Sequence, residues 1–114
     1  MFMDTFTQML ITSLKVLSWE AIDQLRYLGT LGISGNIDEL ALEFDDVALL
    51  AKVKYESREF TEEQYKLVER LSTQLDEMSG IQNKQLWTEK ALINTPQWKE
   101  VREHAKACLN AFLS

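Results

Sequence analysis

Phe60-Thr61-Glu62-Glu63-Gln64-Tyr65-Lys66-Leu67-Val68-Glu69-Arg70-Leu71-Ser72-Thr73-Gln74-Leu75-Asp76-Glu77-Met78-Ser79-Gly80 carries a start signal, an apolar stripe and a stop signal for one α-helix. Thr61 and Gln64 have the spacing of a capping box, in which the Thr hydroxyl accepts from the third helical N–H and the Gln side chain reaches back. Phe60 and Tyr65 stand at the two positions of a hydrophobic staple. Leu67, Val68, Leu71, Leu75 and Met78 recur at helical intervals. Gly80 closes the segment, because a left-handed cap costs glycine nothing.

The same period extends in both directions. A first helix is predicted over residues 4–17, burying Phe6, Met9, Leu10, Leu14 and Leu17. Ser18 is then read as an N-cap, with Glu20 in the first turn of a short second helix that ends at Leu28 and buries Trp19, Ile22 and Leu25. Residues 29–36 hold three of the four glycines and form the clear loop. Asn36 and Glu39 have capping-box spacing and start a third helix to Tyr55, followed by a polar break at Ser57 to Glu59. Asn83 to Ile93 is predicted as a short helix carrying Leu86, Trp87 and Leu92. Thr95-Pro96 opens the last helix, since proline's missing N–H is not needed at the first helical position. Its stripe is Trp98, Val101, Ala105, Cys108, Leu109 and Phe112. The expectation is an all-α, single-domain bundle of five or six helices over residues 1–114.

Composition removes several classes of function. With 114 residues and 46% hydrophobic side chains, the chain can bury an ordinary core without a disulfide or a metal. One Cys and one His exclude an intramolecular disulfide framework and leave no Cys/His metal cluster. A net charge of −6 argues against a phosphate-backbone binder. No apolar run approaches a membrane span, and Met1-Phe2-Met3-Asp4 lacks the positive charge of a secretory leader. A lone thiol suits a reducing compartment, so a soluble cytoplasmic protein is expected, with no nucleic-acid or membrane partner and no cofactor.

The charge is distributed unevenly. Residues 1–51 hold eight acids and two bases, whereas residues 52–114 hold ten of each, so the whole imbalance lies in the first half. Five acids, Asp38, Glu39, Glu43, Asp45 and Asp46, fall together without a base among them. At 100° per residue, Leu40, Phe44, Val47, Ala48 and Ala51 form a core-facing arc. Leu42 and Leu49 lie on the far side as a separate stripe. Asp38 and Asp45 border it on one edge; Glu39 and Asp46 border it on the other, with Glu43 beside them. An apolar ridge edged by like charge can attract a basic partner and offer it a desolvated centre. The plainer arrangement has the first helix covering Leu42 and Leu49, with the acids as solvated edges or as complements to the helix dipole.

Other chemistry is weaker. His104 and Cys108 are four apart on one helix, but two ligands do not make a zinc site and Cys108 lies on the core stripe. The pairs Glu59/Glu62 and Glu100/Glu103 have the three-residue spacing with which all-helical nucleotide pyrophosphohydrolases bind magnesium. Glu is also common on exposed helix faces. No phosphate-binding glycine loop, nucleophile elbow or HExxH is present.

A small acidic helical chain built around Asp38-Glu39-Leu40-Ala41-Leu42-Glu43-Phe44-Asp45-Asp46 is similar in type to the immunity proteins of bacterial polymorphic toxin and contact-dependent growth inhibition systems. Met78-Ser79-Gly80 through Asn83, Leu86-Trp87-Thr88, and Trp98 with Val101-Arg102 also resemble stretches of small bacterial proteins. The resemblance implies a protein without catalysis that neutralises a cognate basic toxin, commonly a nuclease. Its acids would mimic phosphate or pair with toxin Lys and Arg. Asp38, Glu39, Leu42, Glu43, Asp45, Asp46 and Leu49 are the expected partner-binding residues. The alternatives are a regulatory or structural adaptor using the same face, and a magnesium-dependent pyrophosphohydrolase-like enzyme.

Overall fold

The computed structural model describes residues 4–33 and 36–113, and every regular element among them is helical. Seven α-helices run α1 (Thr5–Ser18), α2 (Ala21–Thr30), α3 (Asp38–Ala48), α4 (Ala51–Glu56), α5 (Glu62–Glu77), α6 (Glu89–Asn94) and α7 (Pro96–Leu113), with a 3₁₀ segment at Ile81–Leu86. The count exceeds the expected five or six because the predicted third helix is broken into α3 and α4. Helices α1, α3, α5 and α7 form a ring in which α1 packs on α7 and α3, and α5 packs on α7 and α3. The α3–α5 side is the least closely packed of the four. Helix α2 leans on α6, and α4 runs along α5.

Local chemistry explains most of the boundaries. Gln64 N donates to Thr61 Oγ1 at 3.1 Å and Thr61 N to Gln64 Oε1 at 2.8 Å, so the capping box forms as read. The staple does not appear as an aromatic pair: Phe60 packs edge-on to Phe112, while Tyr65 stacks on Tyr55 at 4.6 Å. Asp4 caps α1 by accepting from Thr7 N at 2.7 Å and also pairs with Lys54. These hydrogen bonds, the Lys54 one foremost, hold its carboxyl down at about 2. On α7, Trp98, Val101, Ala105, Cys108 and Phe112 are buried, as the stripe requires.

Two N-caps differ from expectation. The N-cap of α2 is Glu20 rather than Ser18, whose hydroxyl instead donates to Lys15 O. The end of α1 is also held from the core: the buried Gln24 amide donates to Val16 O at 2.9 Å, which accepts from Trp19 N as well, and to Leu17 O at 3.1 Å. This corner turns Trp19 and Ile22 outward, so both are exposed rather than buried, and Met9 on α1 is exposed too. Ile37, not Asn36, caps α3, and no side-chain cap bond forms there.

The predicted helix to Tyr55 stops at Ala48. Leu50 N bonds Val47 O at 3.1 Å, a tight three-residue closure, and the helix resumes at Ala51. Nothing in Ala48-Leu49-Leu50-Ala51 disfavours helix, so the break is a tertiary effect. Bending there lays α4 along α5, with Ala51 fully buried and Lys54 within reach of Asp4. The predicted 83–93 helix likewise resolves into the 3₁₀ segment and α6, separated by Thr88, whose hydroxyl accepts from Ala91 N at 3.1 Å.

Candidate functional site

Helix α3 lies in the ring with Leu40, Ala41, Phe44, Val47 and Ala48 buried. That orientation fixes where the remaining positions point. Leu42 is 47% exposed and Leu49, the C-cap, is 80% exposed, so α1 does not cover them. Burial of five neighbours on the opposite face leaves Leu49 mostly in water and Leu42 about half covered, so apolar surface stays exposed on this side.

The carboxylates divide between the two edges of this ridge. Asp38 and Asp45, with Ala41 and Leu42 between them at i, i+3, i+4 and i+7, form one wall of a groove of about 720 Å³. The opposite wall is Ser79, Gly80, Ile81, Lys84 and Trp87. On the other edge, Glu43 accepts from the Tyr27 hydroxyl at 2.9 Å, tying α2 to α3. Burial first, and Glu43 second, push the Tyr27 hydroxyl above its ordinary range. Glu43 is thus partly committed inside the fold. Asp46 stands at a further hollow of about 450 Å³ with Asp45, Leu49, Lys52, Glu69 and Asp76.

Among the described residues, none of Asp38, Glu39, Glu43, Asp45 and Asp46 has a Lys or Arg nitrogen within 4.0 Å; the ion pairs lie elsewhere, at Arg26–Asp23, Lys54–Asp4, Lys54–Glu59 and Lys66–Glu62. Asp45 shows the consequence. Partial burial, then the charges of Asp76 and Asp46, raise its pKa above the usual carboxylate value. A raised folded pKa means the folded state holds the proton more tightly than the unfolded chain does. The penalty is therefore absent below the unfolded value near 4 and fully present above the raised folded value. Asp45→Asn is expected to stabilise the protein at pH 7 by roughly 0.2–0.5 kcal/mol, the scale of like-charge repulsion on a helix. Urea denaturation at pH 7 and pH 3.5 checks this: the gain should vanish at the lower pH, and a loss at pH 7 would show that Asp45 supports the fold.

The far wall of the groove is built by the end of α5. Its last carbonyls lack helical donors, and side chains from the following turn supply them. Asn83 Nδ2 donates to Glu77 O at 3.0 Å and to Ser79 O at 3.2 Å, and Trp87 Nε1 donates to Met78 O at 2.8 Å. Gly80, at φ +104° and ψ 162°, turns the chain through a region that side chains disfavour. The helix itself ends at Glu77 with Met78 as its C-cap, so Gly80 follows the stop rather than forming the expected left-handed cap, its ψ being extended. The next residue, Ile81, is 91% exposed. Ile81, Lys84, Trp87 and Asp76 were not among the expected site residues. An isolated isoleucine between Gly80 and Gln82 was the available signal, since an apolar residue in a polar turn has no core to enter.

The other candidate chemistry disperses. Glu59 is held by Lys54 at 3.0 Å and by the Ser57 hydroxyl at 2.7 Å; Glu62 pairs with Lys66, and Glu100 accepts from Gln74. No group of three or more His, Cys, Asp or Glu suited to a metal ion occurs among the described residues. His104 turns to the Gln74 side chain on α5 while Cys108 points into the core, where burial pushes its thiol up to about 12. Such a thiol stays protonated and is a poor nucleophile. No described helix is long and apolar enough to cross a membrane. Compared with protein-family models, with curated proteins and with solved structures, the chain matches none.

Proposed function

We propose that this chain is a non-enzymatic binding protein of the immunity type, acting in the cytoplasm to neutralise a basic protein toxin, a nuclease in the first instance, through the outer face of α3. The observation that carries the reading is the pairing of two exposed leucines with flanking carboxylates that, among the described residues, have no Lys or Arg nitrogen within 4.0 Å. Single exposed apolar residues are ordinary on protein surfaces. A ridge of two, rimmed by like charge of which Asp45 is ionised at a cost to the fold, is better explained by a partner that supplies positive charge. In that arrangement Leu42 and Leu49 provide the apolar centre, and Asp38, Glu39, Asp45 and Asp46 provide orientation and long-range attraction. Glu43 contributes through Tyr27 by fixing the edge.

The test is a growth assay with the product of the gene adjoining this one in its source genome. Expressed alone, that product should arrest growth, and co-expression of this chain should restore it. Binding without any rescue would instead favour an adaptor that uses the same face. Neither binding nor rescue would remove the immunity reading.

A further inference from the structure

The expected docking residues all come from α3, yet the structure sets a second wall against them. We propose that the groove between α3 and the Gly80–Trp87 turn is the anchor site for an apolar side chain of the partner, carried on a segment with Lys or Arg beside it. This assignment rests on the reading of the α3 face as a surface for a basic protein.

Three observations converge on this occupant. The groove, about 720 Å³, has Ala41 and Leu42 on one wall and Ile81 and Trp87 on the other, with Lys84 beside them, so its centre favours hydrocarbon while its charges are split by wall. Ile81 is 91% exposed and Leu42 is 47% exposed, which leaves apolar surface on both walls to be covered together. The α3 wall ends at Asp38 and Asp45, neither of which has a Lys or Arg nitrogen within 4.0 Å among the described residues, and Asp76 adds to the negative charge felt at Asp45. With Lys84 on the facing wall, an apolar side chain whose neighbouring cation lies toward Asp38 and Asp45 is complementary to that order of groups, whereas an acidic segment on the α3 side would meet like charge. The walls are also firm. Trp87 is fixed by its bond to Met78 O and by edge-to-face contact with Trp98 at 5.2 Å, so the groove needs little reorganisation to receive an anchor.

The experiment uses the full chain and three short fluorescein-labelled peptides read by anisotropy: one with Leu flanked by Lys, one with Ser replacing Leu, and one with Glu replacing Lys. The Lys-Leu peptide should bind about tenfold more tightly than the Lys-Ser peptide, the factor expected for partial burial of one leucine. Ile81→Ser and Leu42→Ser should each remove most of that difference while leaving Lys-Ser binding unchanged. Ile93→Ser, exposed on α6 away from both the groove and the α3 face, should leave it intact. Equal binding of the two Lys peptides, or loss with Leu49→Ser but not with Ile81→Ser, would overturn the groove and leave the acidic face standing. If the Lys peptides bind no better than the Glu peptide, the acidic-face reading fails first and takes the groove with it. Thermal melts of the serine variants identify any effect that comes from unfolding.

Discussion

Trp98→Ala is expected to cost roughly 3–5 kcal/mol of stability, enough to lower the melting temperature by about 15–25 °C. Trp98 is fully buried and among the largest side chains of the core. Its indole N–H donates to Leu86 O at 2.7 Å, and its ring meets the edge of Trp87 at 5.2 Å. Truncation therefore opens a cavity and leaves a carbonyl of the 3₁₀ segment without its donor, which adds to the cost. Against a total stability on the order of 5–15 kcal/mol, that loss is large. Trp98→Phe keeps most of the apolar volume and loses the hydrogen bond, so about 1–2 kcal/mol is expected from it. Denaturant titration of both variants separates packing from hydrogen bonding. A loss below about 1 kcal/mol for the alanine variant would mean that Trp98 does not hold the 81–92 segment to α7.

The second large effect concerns recognition. Reversing Asp45 and Asp46 to Lys together should weaken the partner complex at least a hundredfold, about 2.7 kcal/mol. Two attractive charges become repulsive beside an apolar centre, and close interfacial charge pairs have coupling energies of that order or larger. The fold itself should not suffer. Asp46 is exposed, Asp45 is only partly buried, and the charge of Asp46 adds to the cost of ionising Asp45. Retained thermal stability together with lost affinity would place the two carboxylates at the interface rather than in the scaffold.

How much was legible in the sequence depended on whether the deciding physics was local. The Thr61 capping box and the Thr95-Pro96 start are written in neighbouring residues, and both helices begin where those residues indicate. The core arc of α3 followed from period alone, because one helix face must be buried whichever helices cover it. The break at Leu49 was not legible, since good helix formers run across it and the bend comes from packing α4 on α5. Trp19 and Ile22 were assigned to the core by their apolarity, but the Gln24 clamp on the end of α1 sets a corner that turns them outward. The candidate site was half visible for the same reason. Leu42, Leu49 and their acids share one helix, whereas Ile81, Lys84 and Trp87 reach the groove, and Asp76 the neighbouring hollow, only through the tertiary fold.

The central claim is that uncompensated negative charge on the outer face of α3 draws in and seats a basic protein. It is tested most directly by measuring the association rate of the partner found in the growth assay across a range of ionic strength, for the native chain and for the Asp45→Lys/Asp46→Lys variant. The native rate should fall at least tenfold from low to physiological salt, while the variant associates slowly at every concentration. A native rate that is flat with salt and matched by the variant would contradict the claim.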